Sequence, residues 1–142
     1  MQNIKIFQFD IYILHFFIMH YDLVVRIKNA ENSEKDSIIA NFSKVDFAIA
    51  KLLVEAGYIK DVQKRTVGKK NFLEIKLSRG GKAISGFKIL SKPGRRIYVA
   101  SKDIRTIRQG YGMSVISTSK GVMNNKEARK QKIGGEHLFE IW

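Results

Sequence analysis

Met113-Ser114-Val115-Ile116-Ser117-Thr118-Ser119-Lys120-Gly121 is the stretch that decides how the second half of the chain is read. The residues from Met113 to Ser117 suit a strand. Three hydroxyls in a row close it. Each is a donor and an acceptor without formal charge. Lys120 adds one positive charge, and Gly121 admits a turn with positive φ. A loop of this chemistry holds a phosphate, a sugar 2′-hydroxyl or a base edge. An ordinary Ser/Thr turn accounts for the same residues, so the surrounding chain must choose.

Downstream, Asn124 caps a short helix from Asn125 to Lys132, with Glu127 at its third position. Gly134-Gly135 ends it. Glu136 to Trp142 reads as a final strand with His137, Phe139 and Ile141 on one face. Upstream lie the loop Gly110-Tyr111-Gly112 and a helix from Lys102 to Gln109, capped by Ser101, with Ile104 and Ile107 inward. Arg95 to Val99 reads as a strand entered through Ser91-Lys92-Pro93-Gly94, where proline followed by glycine favours a type II turn. Residues 91–142 therefore form a β-rich lobe with short helices.

Residues 19–90 read as an α/β lobe. Asp22 caps a helix over Leu23 to Ala30 whose apolar stripe is Leu23, Val24 and Ile27. Ile38 and Ile39 start a short strand. The clearest helix runs from Lys44 to Ala56: Ser43 is the N-cap, Asp46 stands three residues on, and Gly57 is the expected C′ residue. A strand from Ile59 to Lys64, a basic turn, and a strand from Phe72 to Leu77 follow. An Arg79-Gly80-Gly81-Lys82 hairpin and a return strand from Ala83 to Leu90 complete a three-stranded meander on that helix. The fold class is α+β in two small lobes, the N-terminal one built on a three-stranded sheet.

Residues 1–18 stand apart. They are crowded with Ile, Phe and Tyr, and carry one Lys and one Asp. Ile4/Ile6 and Phe7/Phe9/Ile11 alternate with the period of a strand. The apolar runs are broken at His15 and fall short of the roughly 20 residues that cross a membrane. They also lack the basic start and small-residue cleavage site of a secretory signal. The segment is an extension, or translation starts at Met19.

The 142 residues contain no cysteine, which excludes disulfides, thiolate metal sites and cysteine nucleophiles and suits a reducing cytosol. The net charge of +13 is unevenly spread. Residues 1–57 carry six basic and seven acidic side chains, and residues 58–142 carry 20 and six. So basic a half points to a polyanion, nucleic acid first and an anionic membrane second.

Catalytic readings find little support. No nucleotide-binding glycine motif is present. His15, His20 and His137 have no metal-ligand spacing, and His137 reads as a satisfied strand histidine. Ser117 and Ser119 have no evident base, so no nucleophile is assigned. Asp103 and Glu127 are accounted for as helix caps. No catalytic residue, cofactor, metal or small-molecule substrate is expected. Cations instead gather at turns and strand ends: Lys69, Lys70, Lys82, Lys92, Arg95, Arg96, Lys120, Arg129, Lys130 and Lys132. Tyr98 and Tyr111 lie among them and either stack on a base or belong to the core, the core reading being the stronger for Tyr111. Hydroxyls and backbone groups beside Lys and Arg suit structured RNA better than duplex DNA, whose readers usually present a recognition helix.

At these residues the chain resembles bacterial-type small-subunit ribosomal protein eight, of the universal eighth family. Four segments carry the likeness: Asp22 to Ala30, Glu55-Ala56-Gly57-Tyr58-Ile59, Ser91 to Val99, and Ser117 to Gly121. The last is continued by Lys126-Glu127-Ala128-Arg129 and Gly134-Gly135-Glu136. The likeness spans about residues 20–142. It departs at His20-Tyr21, where the family usually has Asp-Pro, and at Asn41-Phe42 before Ser43, where it often has proline.

The resemblance implies a structural protein of the small ribosomal subunit, cytoplasmic or on an organellar ribosome. Such a protein binds the central domain of small-subunit rRNA early in platform assembly, beside neighbouring ribosomal proteins. It implies a second role as repressor of its own operon mRNA. Carried over, Ser117, Thr118 and Ser119, with Lys120 and Gly121, contact the RNA helix. Tyr98 and the Lys92-Pro93-Gly94 turn with Arg95 flank it, Gly135 and Glu136 close the surface, and Arg129 stands beside it. Arg26, Lys28 and Asn29 touch a second RNA element. A membrane-surface protein, motivated by residues 1–18, and a nuclease are the readings from other classes; neither a membrane nor a small molecule is the expected partner.

Overall fold

The computed structural model describes residues 22–92 and 94–142. The strand read into residues 1–18, the departure at His20-Tyr21 and the conformation of Pro93 lie outside them. Residues 22–32 form helix α1, which buries Leu23, Val24, Ile27 and Ala30 and exposes Arg26 and Asn29. Asp22 is helical rather than a cap, and its carboxylate stands 3.9 Å from Arg26, one turn on.

Strand β1 (Ser37–Asn41) turns Ile38 and Ala40 inward and Ser37, Ile39 and Asn41 outward. Helix α2 (Lys44–Glu55) is closed at both ends as expected. Ser43 Oγ accepts the Asp46 N–H at 3.3 Å. At the other end Gly57 has φ +86°, Tyr58 N–H reaches Leu53 O at 3.0 Å, and Gly57 N–H reaches Val54 O at 3.1 Å. Those two bonds make a Schellman close. Strands β2 (Ile59–Val67) and β3 (Lys70–Leu77) form a hairpin around Gly68-Lys69, with Gly68 at φ +63°.

The third strand of this sheet is not the expected return strand. The order is β1-β3-β2, and residues 83–86 are irregular. The reason lies at Ile84, whose N–H is accepted by the Glu31 carboxylate at 3.1 and 3.2 Å and whose carbonyl accepts from Lys28 Nζ. Both polar groups of Ile84 are thus held by side chains of α1, and no strand partner is available to it. The chain passes instead to the second sheet, where β4 (Phe87–Ile89) pairs with the last strand.

The second sheet is built on β8 (Gly135–Ile141). Its order is β4-β8-β6-β7, with β5 (Tyr98–Val99) also paired to β8. The strand expected over Arg95–Val99 is shortened to β5. The helix expected over Lys102–Gln109 is replaced by two short 3₁₀ turns, Ser101–Asp103 and Arg108–Gly110. Carbonyls that such a helix would need are taken elsewhere: Arg129 Nη2 donates to Ile104 O, and Asn125 Nδ2 donates to Arg105 O at 3.2 Å. Arg108 and Gln109 sit at φ +46° and +57°, which no α-helix admits.

Strand β6 (Met113–Thr118) does not run straight to a helix. It turns through Ser119-Lys120 into β7 (Gly121–Asn124), and helix α3 (Asn125–Lys130) follows. Asn124 Oδ1 accepts the Glu127 N–H at 2.8 Å, the cap read from the sequence. One apolar cluster, with Ile27, Ile49, Leu53, Leu73, Ile75, Val115, Phe139 and Ile141, runs through both lobes. A smaller one, Ile104, Ile116, Met123 and Ala128, fixes α3 to the far face of the second sheet.

Candidate nucleic-acid interface

The hydroxyl-bearing end of β6 lies beside the start of β8. Ser117 faces Glu136 across β6–β8, and Glu136 faces Tyr98 across β5–β8. Residues directly opposite across antiparallel strands project to one face. Tyr98, Glu136 and Ser117 therefore form a row over three strands. A β-bulge sets this register. Val115 faces Phe139 and Ile116 faces His137, so Leu138 is the extra residue. Without it Ser117 would face His137 and the row would carry an imidazole instead of a carboxylate.

Two glycines let the strands close. A Cβ on Gly135 would stand 2.2 Å from Ser117 O, and one on Gly134 would stand 2.4 Å from Val99 O. The Gly134-Gly135 pair is thus a spacing device between β5, β8 and β6 as well as a helix stop.

The three hydroxyls differ in use. Thr118 Oγ1 donates to Gly121 O at 2.7 Å and accepts the Lys120 N–H at 3.2 Å, which ties the hairpin turn. Gly121 stands at φ +113°, open to glycine alone. Ser117 is half-buried and Ser119 exposed, and neither hydroxyl has a partner among the described residues. Glu136 Oε1 is buried and equally unpartnered. A buried carboxylate oxygen without a donor is costly, and it accepts from hydroxyls and amines but repels phosphate.

The Lys92–Arg95 turn is anchored to the same strand. Ser91 is fully buried. Its Oγ donates to His137 O at 2.7 Å and accepts the Ile97 N–H at 3.1 Å. Lys92 and Arg95 exchange backbone hydrogen bonds of 2.8 and 2.9 Å, and both side chains are exposed with Gly94 between them. Lys120 is exposed as well. Tyr98 is 68% exposed, which removes the core reading for it.

Tyr111 is also no core residue, at 53% exposed. Lys82 reaches it because the chain crosses between sheets there: the ammonium lies 4.4 Å from the Tyr111 ring and 4.6 Å from the Tyr58 ring. Tyr111 precedes β6, at the opposite end of that strand from Ser117, so it belongs to a different part of the surface.

The remaining candidates are drawn into the protein's own bonding. Arg129 holds Ile104 O. Arg26 Nη2 donates to Ile39 O at 2.7 Å, and Lys28 holds Ile84 O with Glu31 3.7 Å away. Asn29 is exposed beside them.

Ser91 and Asn125 were not singled out from the sequence. Asn125 is buried, accepting the Ser114 N–H at 3.3 Å while donating to Arg105 O. Nothing local in the sequence distinguishes such an anchor from a surface polar residue. His137 is in a strand as expected, but it is not satisfied: Nε2 is buried without a hydrogen bond, 3.8 Å from Glu140 Oε1. Burial holds its imidazole below the ordinary value, and Glu140 opposes that in part. Among the described residues no group of acids and histidines is placed to hold a metal, and no helix is long and apolar enough to cross a membrane.

Residues 20–142 match the family described as Ribosomal protein S8. The small ribosomal subunit protein uS8 of Caldicellulosiruptor bescii is 41% identical over 124 residues, covering 85% of this chain and 94% of that protein. The proteins of the same name from Mycoplasmopsis agalactiae and Erythrobacter litoralis are 42% and 40% identical over 123 residues, with the same coverage.

Proposed function

The chain belongs to the ribosomal protein S8 family, and from that premise we propose that it is a structural, non-enzymatic component of the small ribosomal subunit that binds small-subunit rRNA through its C-terminal sheet. The observation that carries this reading is the Tyr98–Glu136–Ser117 row. It has an exposed ring, an orphaned acceptor and, with Ser119, two unpartnered hydroxyls. Lys92, Arg95 and Lys120 are exposed on the flanking turns. The cations supply phosphate affinity that is indifferent to sequence. The row supplies contacts that depend on shape and on 2′-hydroxyls or base edges. Among the described residues the helix of this lobe, α3, has six residues and packs by Ala128 on the sheet, so it does not take the role of a recognition helix.

The partner site is the central domain of the rRNA, with neighbouring small-subunit proteins alongside, on the ribosome of the cytoplasm. The protein's own operon mRNA is a second ligand for the same row. Arg26, Lys28 and Asn29 contact a second RNA element with the donors left over from their internal bonds. Filter binding of the full chain to a central-domain rRNA fragment and to random RNA of equal length tests the reading. A preference of at least about a hundredfold at fixed salt is expected. Equal affinities would overturn it.

A further inference from the structure

Strand β2 is an edge of the first sheet, because the order β1-β3-β2 leaves it one neighbour. Its last five residues, Gln63 to Val67, are all exposed, so this part of the strand stands clear of the core. The hairpin decides which backbone groups face outward. Val67 faces Lys70 across the two-residue turn Gly68-Lys69, and the pair that closes such a turn is hydrogen-bonded. Bonded pairs then alternate, so Arg65 with Phe72 and Gln63 with Glu74 bond inward. Val62, Lys64 and Thr66 turn their N–H and C=O groups to the free edge. The bonding of Val62 agrees: its N–H is accepted by Asp61 Oδ1 at 2.8 Å rather than by β3. Among the described residues no other element reaches the N–H groups of Lys64 and Thr66, nor the carbonyls of Val62, Lys64 and Thr66.

The side chains along this edge are sorted by face. Arg65 and Val67 lie on the outer face, where with Ile39, Phe72 and Glu74 they line a hollow of about 240 Å³. Arg65 and Glu74 form an ion pair, so the charges there cancel, and Val67 is 69% exposed. Lys64 lies on the other face. Its ammonium stands 4.5 Å from the Phe42 ring and has no carboxylate partner among the described residues. Lys60, at the bulge of the strand, is exposed too. These features choose between occupants. A phosphate backbone suits the ammoniums, but it meets the interleaved carbonyls of Val62, Lys64 and Thr66 as acceptor against acceptor. A second copy paired β2 to β2 and antiparallel sets Lys64 against Lys64 or Lys60, the usual guard against self-association along an edge. An extended peptide offers donors and acceptors in the alternation the edge requires. We propose that the free edge of β2 takes an extended segment of another protein as a fourth strand, with acidic side chains beside Lys64 alternating with aliphatic ones beside Val67. This surface is separate from the Tyr98–Glu136–Ser117 row, and the proposal stands whether or not that row binds RNA.

Hydrogen exchange on the full chain tests this with three probes: a synthetic octapeptide of alternating glutamate and valine, a block peptide of the same composition, and octauridylate. With the alternating peptide at about 1 mM, the Lys64 and Thr66 amides are expected to exchange at least about threefold more slowly, while those of β6 and β8 keep their rates. Lys64→Glu should weaken the effect by reversing the charge. Thr66→Pro should abolish it at Lys64, because it removes an N–H that faces the free edge and leaves the ladder to β3 intact. No slowing at either amide, equal slowing with the block peptide, or slowing that survives both substitutions would sink the proposal. Stronger slowing with octauridylate than with the alternating peptide would assign the edge to RNA. Slowing that grows with protein concentration in the absence of peptide would assign it to a second copy. Either result overturns the proposal equally.

Discussion

Thr118 uses its hydroxyl inside the hairpin, whereas the Ser117 and Ser119 hydroxyls have no partner among the described residues and are, on the proposed reading, the ones that meet RNA. The two roles separate by substitution. Ser119→Ala removes one uncharged contact at an exposed position and leaves the turn intact. It is expected to weaken binding to the rRNA fragment by about 1–2 kcal/mol with little change toward random RNA. Lys92→Ala acts on phosphate attraction, weakening both RNAs alike and lowering the slope of log affinity against log salt by about one. Ser119→Ala binding as tightly as the unaltered protein would detach the hydroxyls from recognition. Beneath the row, His137 gives a pH signature. Burial lowers its pKa in the folded chain, with Glu140 opposing in part. The unfolded chain takes up a proton as the pH falls through about 6.5, before the folded chain does. Stability is complete above that pH and declines below it, until the folded imidazole also protonates. Urea midpoints at about pH 7 and pH 5 should therefore differ less for His137→Gln than for the unaltered chain, and equal differences would reject this origin.

At the scale of elements, what the sequence disclosed depended on how far away each segment's partners lie. Helices α2 and α3 carry their own caps, Ser43 and Asn124, within three residues of the bonds they make, so local pattern sufficed. The segment 83–86 and the stretch 102–109 take their hydrogen-bond partners from α1 and α3, 20 or more residues away, and there a local reading chose a strand and a helix that do not form. The site divides likewise. The hydroxyl run, the turn at residue 92 and the glycine pair are visible as residues. That Ser117 meets Glu136 is decided by the bulge at Leu138, which no spacing in the sequence announces. The glycine pair offers the test at this scale. In Gly135→Ala the new Cβ meets Ser117 O, a backbone atom that moves only if β6 and β8 part. A stability loss of about 1–3 kcal/mol is expected, as for overpacking. Loss of specific RNA binding should accompany it in chains that remain folded, because Ser117 and Glu136 no longer share a row. Unchanged specificity in a destabilised but folded Gly135→Ala protein would show that the row's spacing is immaterial.

For the molecule as a whole, the two sheets are joined by their interior. Phe139 of β8 belongs to the same buried cluster as Ile49 and Leu53 of α2 and Leu73 and Ile75 of β3. Polar ties follow the same path: the Tyr58 hydroxyl, on the residue just before β2, reaches Ile141 O at 3.5 Å, and Ser85 and Gly86 donate to Trp142 O at 2.7 and 3.0 Å. A cluster shared in this way cannot lose one half and keep the other dry, so the lobes should unfold together. Trp142 is the single tryptophan and reports on the second sheet, while far-ultraviolet circular dichroism is dominated by α1 and α2 on the first. The two signals are expected to trace one urea transition. Phe139→Ala leaves a cavity between the lobes and should cost about 3–5 kcal/mol. Both signals should shift to the same lower midpoint, because the side chain it removes serves both lobes. If only the Trp142 transition moves, Phe139 supports the second sheet alone, and that sheet is a unit that stands without the first.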